Sequence, residues 1–249
     1  MENKKKEIDI ILPNYNSVNF IEQTLKSIIS QSFKNWRLII VDDFSNIQTR
    51  KKIKKYEKLN KIKIYWLKKN KGAAYCRNFA INKSNSNYLA FIDSDDIWEK
   101  NKLKSQILYM KKNKYGFTYT YYKTFGLKDK RITTPSQFNF DKFIKDTSIG
   151  TSTMMIKRKL IKNINFTNTP ICEDYHFKCK VLKKIKFAHC LRKYLTRYRI
   201  RTNSLQSNKL KNFFWIWKIN SKYNKLNFFE KLKSLFFISL NSIKKYGLK

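Results

Sequence analysis

Three carboxylates fall within four residues at Asp93-Ser94-Asp95-Asp96, directly after the apolar run YLAFI at 88–92. Carboxylates this close repel one another, and a bound cation or nearby Lys and Arg must offset the cost. Oxygen ligands suit hard ions such as Mg2+ or Mn2+, so Asp93 and Asp95 are candidate ligands of a divalent cation. Such an ion, bridging two phosphates, would neutralise charge developing on a nucleoside-diphosphate leaving group. A solvated acidic turn capping a helix that starts near Trp98 is the plainer reading of the same residues.

Three more polar clusters follow apolar runs. Pro13-Asn14-Tyr15-Asn16 comes after IDIIL (8–12) and offers backbone groups and the Tyr15 ring for packing a base, or an ordinary turn. Asp42-Asp43 comes after RLIIV (37–41). A carboxylate there can accept from a uracil imide or from ribose hydroxyls, or can close a turn in which Ser45 caps a helix. Asn70-Lys71-Gly72 comes after IKIYW (62–66) and gives flexible backbone before a helix. Arg77, further along that helix, could reach a phosphate or form a structural ion pair with an Asp.

The elements that must position these clusters read as alternating strands and helices. The four apolar runs are short and rich in β-branched or aromatic residues, as strands buried on both faces are. Amphipathic stretches near 19–31, 47–59 and 73–83 lie between them. A βαβαβαβ order predicts an α/β fold with a mostly parallel sheet and helices on both faces. Ligands in such folds sit beyond the carboxyl ends of the strands, where all four clusters fall. Beyond residue 100 the expected elements are a helix near 99–112, strands at 116–122, 152–156 and 194–200, and a helix opening near Cys172-Glu173-Asp174.

At 249 residues, 42% of them hydrophobic, the chain is long enough for one large domain or a domain with an appendage. The net charge of +38 favours anionic partners: nucleic acid, acidic membrane surfaces or phosphorylated substrates. It cannot choose among them, because the excess is mostly Lys and comes with abundant Asn, a bias that AT-rich coding also produces. A basic nucleic-acid-binding protein would account for the charge, yet it predicts neither the acidic strand ends nor their order. The charged start MENKKKE, the unpaired spacing of Cys76, Cys172, Cys179 and Cys190, and the absence of a long apolar run point to a cytoplasmic protein with free thiols.

PNYN, VDDFS, LKKNKGAAYCRN and FIDSDD, in this order, resemble the signature series of glycosyltransferase family 2, over roughly residues 8–205. The resemblance implies the GT-A fold and an inverting transferase using a divalent cation (Mn2+ or Mg2+) and a UDP-sugar donor. It places Asp95 on the metal, Asp43 and Asp93 on the nucleoside, and Arg77 near the diphosphate. Ile171-Cys172-Glu173-Asp174-Tyr175 resembles the family's catalytic acidic element, which makes Asp174 the base and Glu173 its neighbour. Single displacement needs such a group, since an acceptor hydroxyl must lose its proton as the nucleotide departs. Acids stabilised by a helix N-terminus are the rival reading of this pair. Many members carry Tyr-Arg-x-His near the end of the catalytic region, followed by Ser. Here the chain reads Tyr198-Arg199-Ile200-Arg201, then Ser204-Leu205. Arg201 cannot ligate a cation and could neutralise the diphosphate directly.

The resulting expectation is a nucleotide-sugar-binding half at 1–100, an acceptor-binding half of the same GT-A domain at 101–207, and basic amphipathic helices at 208–249. The acceptor is a saccharide or a lipid-linked oligosaccharide in bacterial surface polysaccharide or lipooligosaccharide synthesis. An inactive scaffold of the same fold is the alternative, and intact Asp93, Asp95 and Asp174 argue against it. In the tail, Lys209, Lys211, Lys218, Lys222, Lys225, Lys231 and Lys233 could meet anionic lipid headgroups. Phe213, Trp215, Phe236 and Phe237 would then dip below them, peripherally at the inner face of the cytoplasmic membrane. Packing on the domain or in a homodimer is the other use of those rings. Cys172, His176 and Cys179 share a helical face, but three ligands in core positions make a poor zinc site. Thr151-Ser152-Thr153 could line the acceptor pocket or simply start a strand.

Overall fold

The four N-terminal apolar runs are strands β1 (Ile8–Asn14), β2 (Trp36–Asp42), β3 (Ile62–Trp66) and β4 (Tyr88–Phe91). They come from a computed structural model that describes residues 6–202 and 209–247. All three pairings among them are parallel, in the order β3-β2-β1-β4. Along β1, Ile8, Ile10 and Leu12 enter one core while Ile11 enters the other, as a sheet covered on both faces requires. The crossovers are helices α1 (Ile21–Ile29), α2 (Ile47–Lys54) and α3 (Ala73–Asn82). Ile21, Leu25 and Ile28 of α1 pack in the first core, and Ala74, Cys76 and Ala80 of α3 in the second.

The second half adds β5 (Ile97–Trp98), α4 (Lys102–Lys112), β6 (Phe117–Gly126), β7 (Lys130–Ile132), β8 (Gln137–Phe138), α5 (Phe140–Phe143), β9 (Met155–Lys157), α6 (Glu173–Lys184) and β10 (Ala188–Ile200). The sheet continues as β4-β9-β6-β10-β5, with β9 antiparallel to both neighbours and β10 parallel to β6. One mixed sheet therefore runs through both halves. The strand expected at 152–156 starts only at Met155, after a 3-10 turn at Thr151–Thr153. There Thr153 spends its hydroxyl and its N–H on the Gly150 carbonyl, a local alternative to the strand ladder.

The tail forms α7 (Lys209–Lys222) and α8 (Phe228–Tyr246), the latter opened by a capping box between Asn227 and Glu230. Both helices dock on the rest of the fold. Buried Asn220 accepts from the Tyr175 hydroxyl at 2.8 Å, and Ser234 and Asn241 donate to the carbonyls of Ile144 and Lys145. Of the two uses open to Phe213, the structure shows packing against the core; Phe214, 60% exposed, faces outward. On α8, Phe229, Leu232, Phe236, Leu240 and Ile243 are all exposed. Their spacing of three and four puts them on one helical face. Residues 1–5, 208 and the Ser204-Leu205 pair lie outside the described residues. Among those described, no helix is long and apolar enough to cross a membrane, and all four cysteines are free.

Candidate active site

The carboxyl ends of β1 and β2 are locked together below the cleft. Asp42 is fully buried and accepts from Asn14 Nδ2 at 2.8 Å, the Ser45 N–H at 3.1 Å and Arg50 Nε at 2.9 Å. This corrects the expectation that Asp42 meets a nucleoside, since its lone pairs are spent inside the protein. Asn14 is buried as well, receiving the Ser17 hydroxyl. Pro13 is partly buried, whereas Tyr15 and Asn16 stand at the rim, the Tyr15 ring 53% exposed. Asn16 adopts φ 46° and is held by Ser45 and Asn46.

Asp43 grips the loop after β3. Its two oxygens accept from the Lys71 N–H at 2.7 Å and the Gly72 N–H at 2.8 Å, and Asn70 donates to its carbonyl. Gly72 has φ +86° at the start of α3, a left-handed conformation that side-chain-bearing residues adopt only at a cost.

Arg77 brings together the two acidic motifs. Buried within α3, it donates to Asp93 Oδ1 and to Glu173 Oε1, both at 2.7 Å. Glu173 is 96 residues away in sequence and opens α6. The placement supports the ion-pair reading of Arg77 and puts its guanidinium behind the cleft. Burial raises the Glu173 carboxyl above its ordinary value, with Arg77 opposing. The Asp95 carboxyl is raised by burial and by Asp93, and lowered by Arg201. Arg201 lies 2.9 Å from Asp95 Oδ2. Asp96 is buried beneath, accepting from Ser152 Oγ at 2.5 Å and the Arg199 N–H at 2.9 Å. Ser94 contributes its carbonyl to Thr24.

Asp174 sits one residue beyond Glu173, at the base of a chamber of about 320 Å3 that Asp93 also lines. Its Oδ2 accepts from Lys178 Nζ at 2.7 Å and Thr151 Oγ1 at 2.9 Å. No donor among the described residues reaches Oδ1. Burial would raise this carboxyl, but Lys178, seconded by Arg77 and Thr151, overrides it and holds the group well below the usual carboxylate range. Gly150, Tyr175, Phe213 and Ile216 of α7 and Ile238 of α8 line the same chamber. His176, by contrast, pairs with Thr167 and packs on Tyr223.

A divalent cation fits this donor set in a limited way. Among the described residues no three His, Cys, Asp or Glu side chains converge on one point. Hard ions can be held by one or two carboxylates plus substrate phosphates, which Asp95 with Asp93 can supply. Arg201 already covers one oxygen of Asp95.

Lys178 escaped the sequence reading as a site residue, whereas Thr151 and Ser152, read there as pocket lining or a strand start, line the chamber. Asp174 and Lys178 are four apart on one helix, a spacing that signals an ion pair. What the sequence could not give is the bonding of Ser152. Its hydroxyl accepts from the Asp93 N–H only because β9 pairs with β4.

Mixed sheet, acidic strand ends and a chamber beyond them are the arrangement of the GT-A fold. The glycosyl transferase family 2 model matches residues 9–191, and the chain belongs to that family: it is a glycosyltransferase. It is similar to the putative teichuronic acid biosynthesis glycosyltransferase TuaG of Bacillus subtilis, at 34% identity over 98% of this chain and 99% of that one. It is similar to the Escherichia coli UDP-Glc:alpha-D-GlcNAc-diphosphoundecaprenol beta-1,3-glucosyltransferase WfgD, at 31% identity over 85% and 84%. Among solved structures, S. aureus TarS 1-349 in complex with UDP-GlcNAc superposes with TM-score 0.75 at 21% identity, over 95% of this chain and 75% of that one. That likeness supports the GT-A fold.

Proposed function

We propose that this glycosyltransferase moves a sugar, with inversion, from a UDP-sugar to a hydroxyl of a saccharide on a lipid-linked acceptor, in bacterial surface polysaccharide synthesis. The observation that carries the reading is that Asp93 and Asp174 line one chamber while Arg77 ties their motifs together. The donor's nucleoside lies over Asp43 and the Tyr15 rim, and its diphosphate points toward Asp95 and Arg201. The acceptor hydroxyl enters from the opposite side and gives its proton to Asp174 Oδ1. A new bond forms from the acceptor oxygen to the anomeric carbon as the bond to the diphosphate breaks, and the diphosphate keeps the electron pair. Lys178 and Thr151 keep Asp174 ionised and aimed. Arg201 contributes positive charge where the leaving group develops its negative charge. When bound at Asp95 with Asp93, a divalent cation supplies Lewis-acid neutralisation of that same diphosphate.

The diphosphoundecaprenol acceptor of the similar Escherichia coli WfgD supports a lipid-linked acceptor, and the exposed stripe on α8, flanked by Lys231, Lys233 and Lys244, suits an anionic membrane surface. Release of UDP from a panel of UDP-sugars tests the reading. Asp174→Ala and Asp95→Ala are expected to lose turnover while remaining folded by circular dichroism. Full turnover in Asp174→Asn would remove the base from the proposal.

A further inference from the structure

Ser234, Ile238, Asn241 and Lys245 follow one another along α8 at spacings of four, three and four, which puts them on one face of the helix. The exposed stripe of Phe229, Leu232, Phe236, Leu240 and Ile243 lies on the opposite face. Ile238 is the apolar member of the inner face and packs in the core. The three polar members all bind one short stretch of chain. Ser234 Oγ donates to the Ile144 carbonyl at 2.5 Å, and Asn241 Nδ2 to the Lys145 carbonyl at 3.0 Å. Lys245 Nζ meets Asp146 and, at 2.7 Å, Ser148 Oγ. Apolar burial has no direction and would seat the helix without fixing its register, whereas these bonds tie it to nearly successive residues.

The stretch needs such support. Residues 146–150, between α5 and the 3-10 turn at Thr151–Thr153, belong to no helix or strand, so no ladder sets their course. Yet the residues directly after them hold both acidic motifs. Thr151 Oγ1 donates to Asp174 Oδ2 at 2.9 Å. Ser152 Oγ receives the Asp93 N–H at 3.0 Å and donates to Asp96 Oδ2 at 2.5 Å. A second route from α8 ends at the same place. Asn220 Nδ2 of α7 donates to Ser234 Oγ at 3.1 Å, while Asn220 Oδ1 receives the hydroxyl of Tyr175, the residue after Asp174. Asn220 and Ser234 are fully buried, so water cannot take over either bond.

We propose that Asn241 and Lys245 are positioning residues for sugar transfer: they hold residues 144–148 so that Thr151 presents its hydroxyl to Asp174 and Ser152 receives the Asp93 N–H. The inference rests on the reading of Asp174 as the base. It adds that the tail helices belong to the transfer site and are more than an appendage to it. A helix that only covered the core would need Ile238 and none of the three polar bonds. Displacing a reacting group by about 1 Å can cost on the order of 100-fold in rate, so a register fixed from outside the site has a kinetic consequence.

The test is UDP release by the full chain under saturating acceptor, for native protein, Asn241→Leu, Lys245→Met, Thr151→Val and each α8 variant combined with Thr151→Val. Each α8 substitution is expected to lower kcat roughly 10-fold or more for every acceptor tried, the scale of one hydrogen bond to a charged group, with donor KM within about twofold of native. In the Thr151→Val background the same substitutions are expected to cost less than about threefold further, because the contact they support is already gone. Lys245→Arg, which keeps the charge opposite Asp146, is expected to recover most of the Lys245→Met loss. Melting curves confirm that each protein is folded. Where Asn241→Leu or Lys245→Met unfolds, Asn241→Gln, which carries the amide on a longer arm, is expected to show the same loss and the same cycle with Thr151→Val. Native kcat in the folded α8 variants, losses that multiply with that of Thr151→Val, or a loss confined to one acceptor overturns the positioning role and leaves Asp174 as the base. Full turnover in Asp174→Asn overturns the base itself, and the positioning role with it.

Discussion

Arg201 holds a guanidinium nitrogen 2.9 Å from Asp95 Oδ2, at the position where the family resemblance sets a histidine. The side chain that often accompanies a cation is here a fixed positive charge. With the cation partly substituted in this way, chelation is expected to slow the native enzyme without silencing it. Arg201→Ala is expected to lose that residual turnover, and Arg201→His to make turnover depend strictly on added Mn2+. UDP release by EDTA-treated protein titrated with Mn2+ is the measurement, and identical Mn2+ curves for all three proteins would refute the substitution. Arg201 is more than a third exposed, so its pair with Asp95 is worth at most about 1 kcal/mol of stability. The variants should therefore melt close to the native protein.

Arg77 has a different energetic standing. Its guanidinium is 6% exposed and answers Asp93 and Glu173 at once. Removing it leaves two carboxylates facing each other in a buried place, a loss on the order of 3–5 kcal/mol. Arg77→Met is expected to show that destabilisation in urea unfolding and to lose at least about 100-fold in turnover, as the two acidic motifs drift apart. Arg77→Lys is expected to rescue little, because one ammonium cannot replace a planar fork serving two carboxylates. A Lys variant with native stability and native turnover would show that charge alone suffices.

The Asp174–Lys178 pair sets the acid side of the pH profile. A carboxylate whose folded-state pKa is depressed contributes stability that is present above its unfolded value, about 4, and lost as pH falls through the folded value. Burial opposes this and Lys178 overrides it, so the native enzyme should show no loss of kcat/KM attributable to Asp174 down to about pH 4. In Lys178→Met burial is no longer overridden by the ammonium, and the acid limb moves upward. The mutant is then expected to lose activity between neutral pH and pH 5 while the native enzyme holds. Coincident acid limbs in the two proteins would mean that Asp174 is not the titrating base.

Local patterns carried most of the N-terminal half. The runs ending at Asn14, Asp42, Trp66 and Phe91 are near-continuous apolar strands, and a parallel sheet places their polar sequels on one edge by topology alone. What could not be read there was direction and depth. Asp42 and Asp43 are adjacent, yet Asp42 turns inward to Arg50 while Asp43 grips the loop at Lys71 and Gly72. In the second half the contacts are long-range. The turn at Thr151–Thr153 is shaped by its own hydroxyls, and Ser152 reaches the Asp93 N–H and Asp96 only through strand pairing. The tail reads clearly as two helices. Its inner faces are legible only once Asn220 is seen bonded to Tyr175, and Ser234 to the Ile144 carbonyl.

That docking gives α8 two distinct sides. Ile238 and Lys245 face the chamber, while Phe229, Leu232, Phe236, Leu240 and Ile243 form an outward stripe that stays exposed among the described residues. A stripe this apolar bordered by lysines is the pattern of a helix lying in a membrane interface, where apolar burial and attraction to anionic lipid act together. Phe229→Ser/Phe236→Ser is expected to leave the fold intact, since both rings are exposed. It is expected to reduce flotation with vesicles containing anionic lipid by about tenfold or more, and raising salt should weaken native binding because the lysine contribution is screened. Turnover on a short water-soluble acceptor should survive the double substitution, whereas turnover on a lipid-linked acceptor in vesicles should fall. Vesicle binding that the variant retains in full would remove the membrane from this face. A native dimer that the variant breaks would assign the stripe to a second copy of the chain.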